Sequence, residues 1–155
     1  IRYSKGWGVS PSWNSPMEEI KIGTGRCISK GKDVAILSIG HIGNDVQKAV
    51  QKASEKGISV AHYDMRFLKP IDAQILHEVG RNFSKVITVE NGVIKGGLGS
   101  EVTEFMSDND YKPIIRKIGI PDEFIEHGSR EELHRQCGMD EDSIFEKIVE
   151  ISKLK

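Results

Sequence analysis

Cysteine is scarce: the 155 residues contain two, Cys27 and Cys137, far apart and outside any CxxC pair. That argues against a disulfide framework or a zinc ribbon and favours two buried, reduced thiols in a cytoplasmic protein. An excess of either charge is missing too. Lys and Arg number 22 against 23 Asp and Glu, so no long-range field favours DNA, RNA or an anionic membrane. No apolar run approaches the ~20 residues with which a helix spans a bilayer. The chain also has no GxSxG elbow, no Walker A Gly-Lys-Ser/Thr and no Cys adjacent to a His. Its five histidines include no pair at i, i+3 or i, i+4 spacing, so a metal site is not expected. Low-complexity segments and internal repeats are absent.

What is there alternates. "VAILSIG" (34–40) is a continuous apolar run suited to a strand buried on both faces. Val46, Ala49, Val50 and Ala53 recur at helical spacing before Gly57. "ISVAHYD" (58–64) reads as a second buried strand. A helix capped by Asp72 follows, with Ile75, Leu76 and Val79 inward and Gly80 as its stop. "KVITVE" (85–90) and "PIIRKIGI" (113–120) are further strands, separated by a helix bearing Val102, Phe105 and Met106. Two helices finish the chain, one over 130–137 and one from Asp140, and "GRCISKGKD" offers a short edge strand. Strands joined by single helices imply a mainly parallel sheet covered on both faces. Chemistry in such sheets gathers at the carboxyl ends of the strands, here 40–41, 64–69, 90–99 and 119–128. Residues 1–25, with Pro11, Pro16, two Trp and four Gly, read as an extended arm, and 26–155 as the layered domain.

Several features could carry chemistry. Gly96, Gly97 and Gly99 precede a helix whose free N–H groups attract anions, but Val102 occupies the third glycine position of GxGxxG. The loop is therefore a tight turn with close packing, a phosphate cradle or a domain contact. Arg66 and Lys69 in "DMRFLKPID" either hold an anion or partner carboxylate, or are solvated turn residues. His41 and His127 sit at the presumed functional edge, whereas His77 and His134 fall in helices and are expected on the surface. Composition and spacing stop at an α/β domain able to bind an anion, and leave open a free-standing binding or association module. A receiver-type signalling domain would need an acidic cluster at the strand ends, which Asp64 beside Arg66 does not supply.

Read in order, "RYSKG", "DMRFLKPID", "TVENGVIKGGLGSEV" and "IGIPDEFIEHGSREEL…GMD" resemble the C-terminal domain of the 1-deoxy-D-xylulose-5-phosphate synthase family over essentially the whole chain. The arginine-to-proline turn and the Glu followed by Gly-Gly-x-Gly also occur in transketolase and in 2-oxo-acid dehydrogenase beta subunits. "GIPDEFIEHGSREEL" is the more discriminating piece. The resemblance implies a three-layer α/β/α sandwich of about five strands, one antiparallel at the edge. It implies a homodimeric enzyme that uses thiamine diphosphate and Mg²⁺ to join pyruvate, with loss of CO₂, to glyceraldehyde 3-phosphate for isoprenoid, thiamine and pyridoxal synthesis. Thiamine chemistry needs a carboxylate on the aminopyrimidine and an Asp-containing Mg²⁺ site. No Asp-Gly dipeptide occurs here, and the resemblance places both elements in preceding domains. The chain, which opens "IRYSKGWGVS" without a Met, is thus expected to be the last domain of a larger enzyme and inactive alone. The family's Tyr-Pro-Arg-Gly, whose Arg holds the aldehyde's phosphate, is matched by Tyr3-Ser4-Lys5-Gly6, so Lys5 is the expected phosphate contact and Arg2 a second candidate. Residues from Ile1 to about Pro16 are expected to be mobile, or packed opportunistically, without a neighbouring domain.

Overall fold

A computed structural model describes residues 16–154, so Arg2 and Lys5, and the mobility expected of the opening segment, lie outside the described residues. Ten elements follow one another: β1 (Arg26–Ser29), β2 (Val34–Ile39), α1 (Gly43–Glu55), β3 (Val60–Asp64), α2 (Ala73–Asn82), β4 (Lys85–Val93), α3 (Leu98–Asp108), β5 (Ile114–Ile120), α4 (Arg130–Gln136) and α5 (Glu141–Ser152). The strands form a single five-stranded sheet in the order β1-β3-β2-β4-β5. β1 runs antiparallel to β3, and the other pairs are parallel. This is the expected α/β/α sandwich with one antiparallel edge.

The core divides by the pleat of the sheet. Successive side chains of a strand point to opposite faces. Val34 and Ile36 of β2 therefore join Val46, Ala49, Ile144 and Ile148 under α1 and α5. Ala35 and Leu37 join Leu76, Val79, Val102 and Met106 under α2 and α3. All four β2 residues are fully buried, the physical reason its sequence is apolar without alternation. α5 is held to α1 at its rim by Lys52, which lies 2.6 Å from both Glu141 and Asp142. These pairs lie at the solvent-facing rim, where water and salt screen them, so they add little to the packing.

Asp72 caps α2 as expected: Oδ1 accepts from the N–H groups of Gln74 and Ile75, while Oδ2 accepts from Gly25 at 2.8 Å. The segment entering β1 is thereby tied to α2. Among the described residues, 16–25 form no helix or strand.

Three expectations need correction. Gly80 does not stop α2, which continues to Asn82. A Cβ there would lie 2.4 Å from the Tyr111 ring, so the glycine makes room for an aromatic rather than ending a helix. Alanine normally stabilises a helix interior by ~1 kcal/mol over glycine. We expect Gly80→Ala instead to lose about 1–2 kcal/mol through overpacking; a rise in the urea midpoint would contradict this. Second, Cys27 is exposed and Cys137 half-buried, although both are free thiols. Third, neither helical histidine is a surface residue. His77 Nδ1 lies 3.1 Å from the Tyr111 hydroxyl and packs against Phe105, and the side chain of His134 is 12% exposed.

Candidate functional site

The strand order reverses direction between β2 and β4: the chain moves from β2 outward to β3, then returns across β2 to β4. The crevice beyond the carboxyl ends at such a switch point is where open α/β sheets place ligands. Two loops border it here. After β2, Gly40 turns the chain with φ +83, and His41 and Ile42 lead into α1. Opposite, β4 bulges: Val89 pairs with Ile118 but Val93 with Ile120, so β4 spends two more residues than its partner. The bulge re-aims Glu90, Asn91 and Gly92.

Glu90 turns inward and is 5% exposed. Its Oε2 accepts from the Leu98 N–H and its Oε1 from the Gly99 N–H, each at 2.9 Å. A helix start leaves backbone donors unpaired and attracts negative charge, and the chain's own carboxylate fills that place at α3. Gly97 is required by the same contact, because a Cβ there would fall on Glu90 Oε2. Gly96 takes φ +74, and its N–H donates to Ser100 Oγ at 2.9 Å. The loop is thus a tight turn closed on an internal anion.

Asn91 faces the other way, its Nδ2 lying 3.2 Å from His41 Nε2. An amide nitrogen can only donate, so His41 Nε2 accepts and the imidazole proton resides on Nδ1. The His41 ring lies over that of His134 on α4, centroids 6.3 Å apart and planes 24° apart. Asp45 on α1 sits 3.9 Å from His134 Nδ1, 3.8 Å from Arg130 and 3.7 Å from Lys48. These separations are Coulombic contacts too long for hydrogen bonds. Burial, then the Arg130 and His134 charges, lower the His41 pKa, opposed by Asp45. Burial and Arg130 likewise lower that of His134. With both pKa values lowered from 6.5, the imidazoles are mostly neutral at pH 7, so the cluster offers one guanidinium, one ammonium, one carboxylate and two rings able to give or take a proton.

The other residues singled out in the sequence are dispersed along this edge. Arg66, at φ 54, follows β3 and its N–H donates to Asp64 Oδ1 at 3.2 Å. His127 is exposed on the loop between β5 and α4. Strand order puts β2 and β4 between these two positions. Asp45 and His134 lie outside the quoted motifs, and Glu90, Asn91 and Arg130 lie within them but were not singled out for a role. Of these only Glu90 had a readable sign, a carboxylate ending an apolar strand just before a glycine-rich helix start.

Among the described residues no group of three His, Cys, Asp or Glu side chains could hold a metal ion. With the α3 donors already taken by Glu90, the described residues do not fit thiamine diphosphate with Mg²⁺. No helix among them is long and apolar enough to cross a membrane.

Residues 23–144 match the family model described as transketolase, C-terminal domain. The chain is 51% identical over 155 residues to the 1-deoxy-D-xylulose-5-phosphate synthase of Bacteroides thetaiotaomicron, covering 99% of this chain and 24% of that protein. It is 53% identical over 152 residues to the enzyme of the same name from Cytophaga hutchinsonii, with 98% and 24% covered. The chain therefore spans about a quarter of the length of the curated relatives it matches. Among solved structures, one titled "Split gene transketolase, inactive beta4 tetramer" superposes with a TM-score of 0.81 at 31% identity, covering 94% of this chain and 46% of the other.

Proposed function

The chain belongs to the transketolase C-terminal domain family, and from that premise we propose that it is the C-terminal domain of a 1-deoxy-D-xylulose-5-phosphate synthase. The observation that carries this reading is identity of about half the residues, over nearly the whole chain, to proteins of that name. The parent enzyme is a cytoplasmic homodimer that joins pyruvate and glyceraldehyde 3-phosphate with loss of CO₂. Its thiamine diphosphate and Mg²⁺ are held by the preceding domains, where they supply the carbanion chemistry. This domain provides a wall of the substrate pocket and a surface for its neighbours, with Arg66, Gly96, Gly97 and His127 as candidate contacts. Alone it is inactive, and turnover by the purified 155-residue chain would refute that.

Lys5 binds the aldehyde's phosphate in this reading, with Arg2, three residues earlier in sequence, as the fallback. A lysine meets phosphate as a point charge, without arginine's two-pronged fork. Loss of one charge-assisted hydrogen bond costs roughly 1.5–3 kcal/mol, or about 10- to 150-fold in binding. Lys5→Ala in the full-length enzyme should raise the KM for glyceraldehyde 3-phosphate by that factor and leave the KM for pyruvate within about twofold. Equal effects on both substrates would remove Lys5 from the phosphate site.

A second reading, the same domain in a transketolase or a 2-oxo-acid dehydrogenase beta subunit, draws on the structural likeness to a split-gene transketolase. Supplying the parent enzyme with pyruvate plus glyceraldehyde 3-phosphate, and separately with ketose donors, distinguishes the two. A free-standing association module would turn over neither.

A further inference from the structure

Beside the histidine pair, α4 and the loop before it lean over the end of β5 and enclose an open hollow of about 320 Å³. That is the lower end of the ~300–1,000 Å³ typical of small-molecule sites. Its walls are mostly apolar: Ile120, Ile125, Leu133 and Met139 line it, with Cys137 at one end and Arg130 at the other. Seven positions along a helix put these ends about 10 Å apart.

The charges along that length are unequal. Among the described residues Arg130 is the only charged side chain in the lining, and it stands 3.8 Å from Asp45, outside hydrogen-bond range. At the far end Glu123 lies close enough to Cys137 to raise its thiol pKa, after burial. A negative group is thus attracted at the Arg130 end and repelled at the Cys137 end. Asn91 and His134 add neutral polar atoms at the rim.

We propose that this hollow binds a small, elongated organic monoanion, its carboxylate-like head at Arg130 and its apolar body over Leu133 and Met139 toward Cys137. One guanidinium, partly balanced by Asp45, suits one negative charge better than a doubly charged phosphate. This inference does not depend on the identity of the parent enzyme.

The two thiols provide the assay. Cys137 lines the hollow, and Cys27 is exposed on the opposite edge strand. In the full-length protein, iodoacetamide alkylation of each cysteine is followed by peptide mass spectrometry while 4-phenylbutyrate is titrated. The acid should slow Cys137 modification saturably and leave the Cys27 rate unchanged. Neutral 4-phenylbutanamide should need at least tenfold more for half-protection, and cationic 4-phenylbutylamine should not protect. Arg130→Gln, a substitution at an exposed side chain, should erase the difference between acid and amide. The proposal is overturned if acid and amide protect equally in the unaltered protein, if the amine protects, or if Cys27 slows in parallel. It is equally overturned if the acid gives no protection, if Arg130→Gln preserves the acid preference, or if Cys137 does not react without the probe.

Discussion

Replacing Glu90 with alanine should destabilise the protein by about 3–4 kcal/mol through two backbone hydrogen bonds. The substitution removes both acceptors of the Leu98 and Gly99 N–H groups, each bonded at 2.9 Å. A charge-assisted hydrogen bond contributes roughly 1.5–3 kcal/mol, and a buried donor left unpaired costs about 1–3. Relief of the carboxylate's own desolvation offsets part of this, because Glu90 is 5% exposed. Glutamine keeps one acceptor but turns an amide NH₂ toward a backbone donor, so Glu90→Gln should cost about 2 kcal/mol by the same accounting of one lost bond. Urea unfolding checks both variants. A loss below about 1 kcal/mol for Glu90→Ala would mean that water or another acceptor readily serves the α3 donors.

Acid should weaken the fold through His62. This residue is 1% exposed on β3, in register with Ile36. Its Nε2 lies 2.7 Å from Ser38 Oγ, and its Nδ1 is buried with no hydrogen-bond partner among the described residues. The ring also lies beneath the start of α1, where the helix dipole disfavours a cation: a Cβ on Gly43 would be 4.0 Å from His62 Cε1. Burial lowers the pKa from 6.5 to about 4, against a smaller upward pull from Asp64. Since the unfolded chain takes up the proton at the higher pH, stability is fully present above about pH 6.5. It falls as pH drops toward 4, by about 2 kcal/mol at pH 5 and about 3 at pH 4. His41 and His134 are shifted the same way, so the decisive measurement is a difference. Urea unfolding at pH 7 and pH 5 should show a pH dependence about 2 kcal/mol smaller in His62→Gln than in the unaltered protein. An unchanged dependence would sink the assignment to His62.

The sheet was legible because β2, β3 and β4 are largely buried on both faces and so are mostly apolar, with Ser38, His62, Thr88 and Glu90 as buried polar exceptions. The edge strand β1 was legible only as a short stretch before Val34. Gly80 misled because glycine ends many helices, and nothing near it announces Tyr111, whose ring takes the space of a side chain. Glu90 stood out as a carboxylate before a glycine-rich helix start, but its role did not: its partners are backbone N–H groups eight and nine positions along, which leave no trace in side-chain identity. His134 meets His41 only because α4 folds back over the β2 end. No spacing rule connects residues from separate loops, so helical position alone suggested solvent.

The alternation of β2 between two cores also limits what the chain can tolerate as it diverges. Adding or deleting one residue within this strand would send Val34 and Ile36 to the α2 and α3 side and Ala35 and Leu37 to the α1 and α5 side. Each side chain would then meet a layer packed around one of different shape. Residue identities in β2 are exchangeable among aliphatics of similar volume, but its length is not.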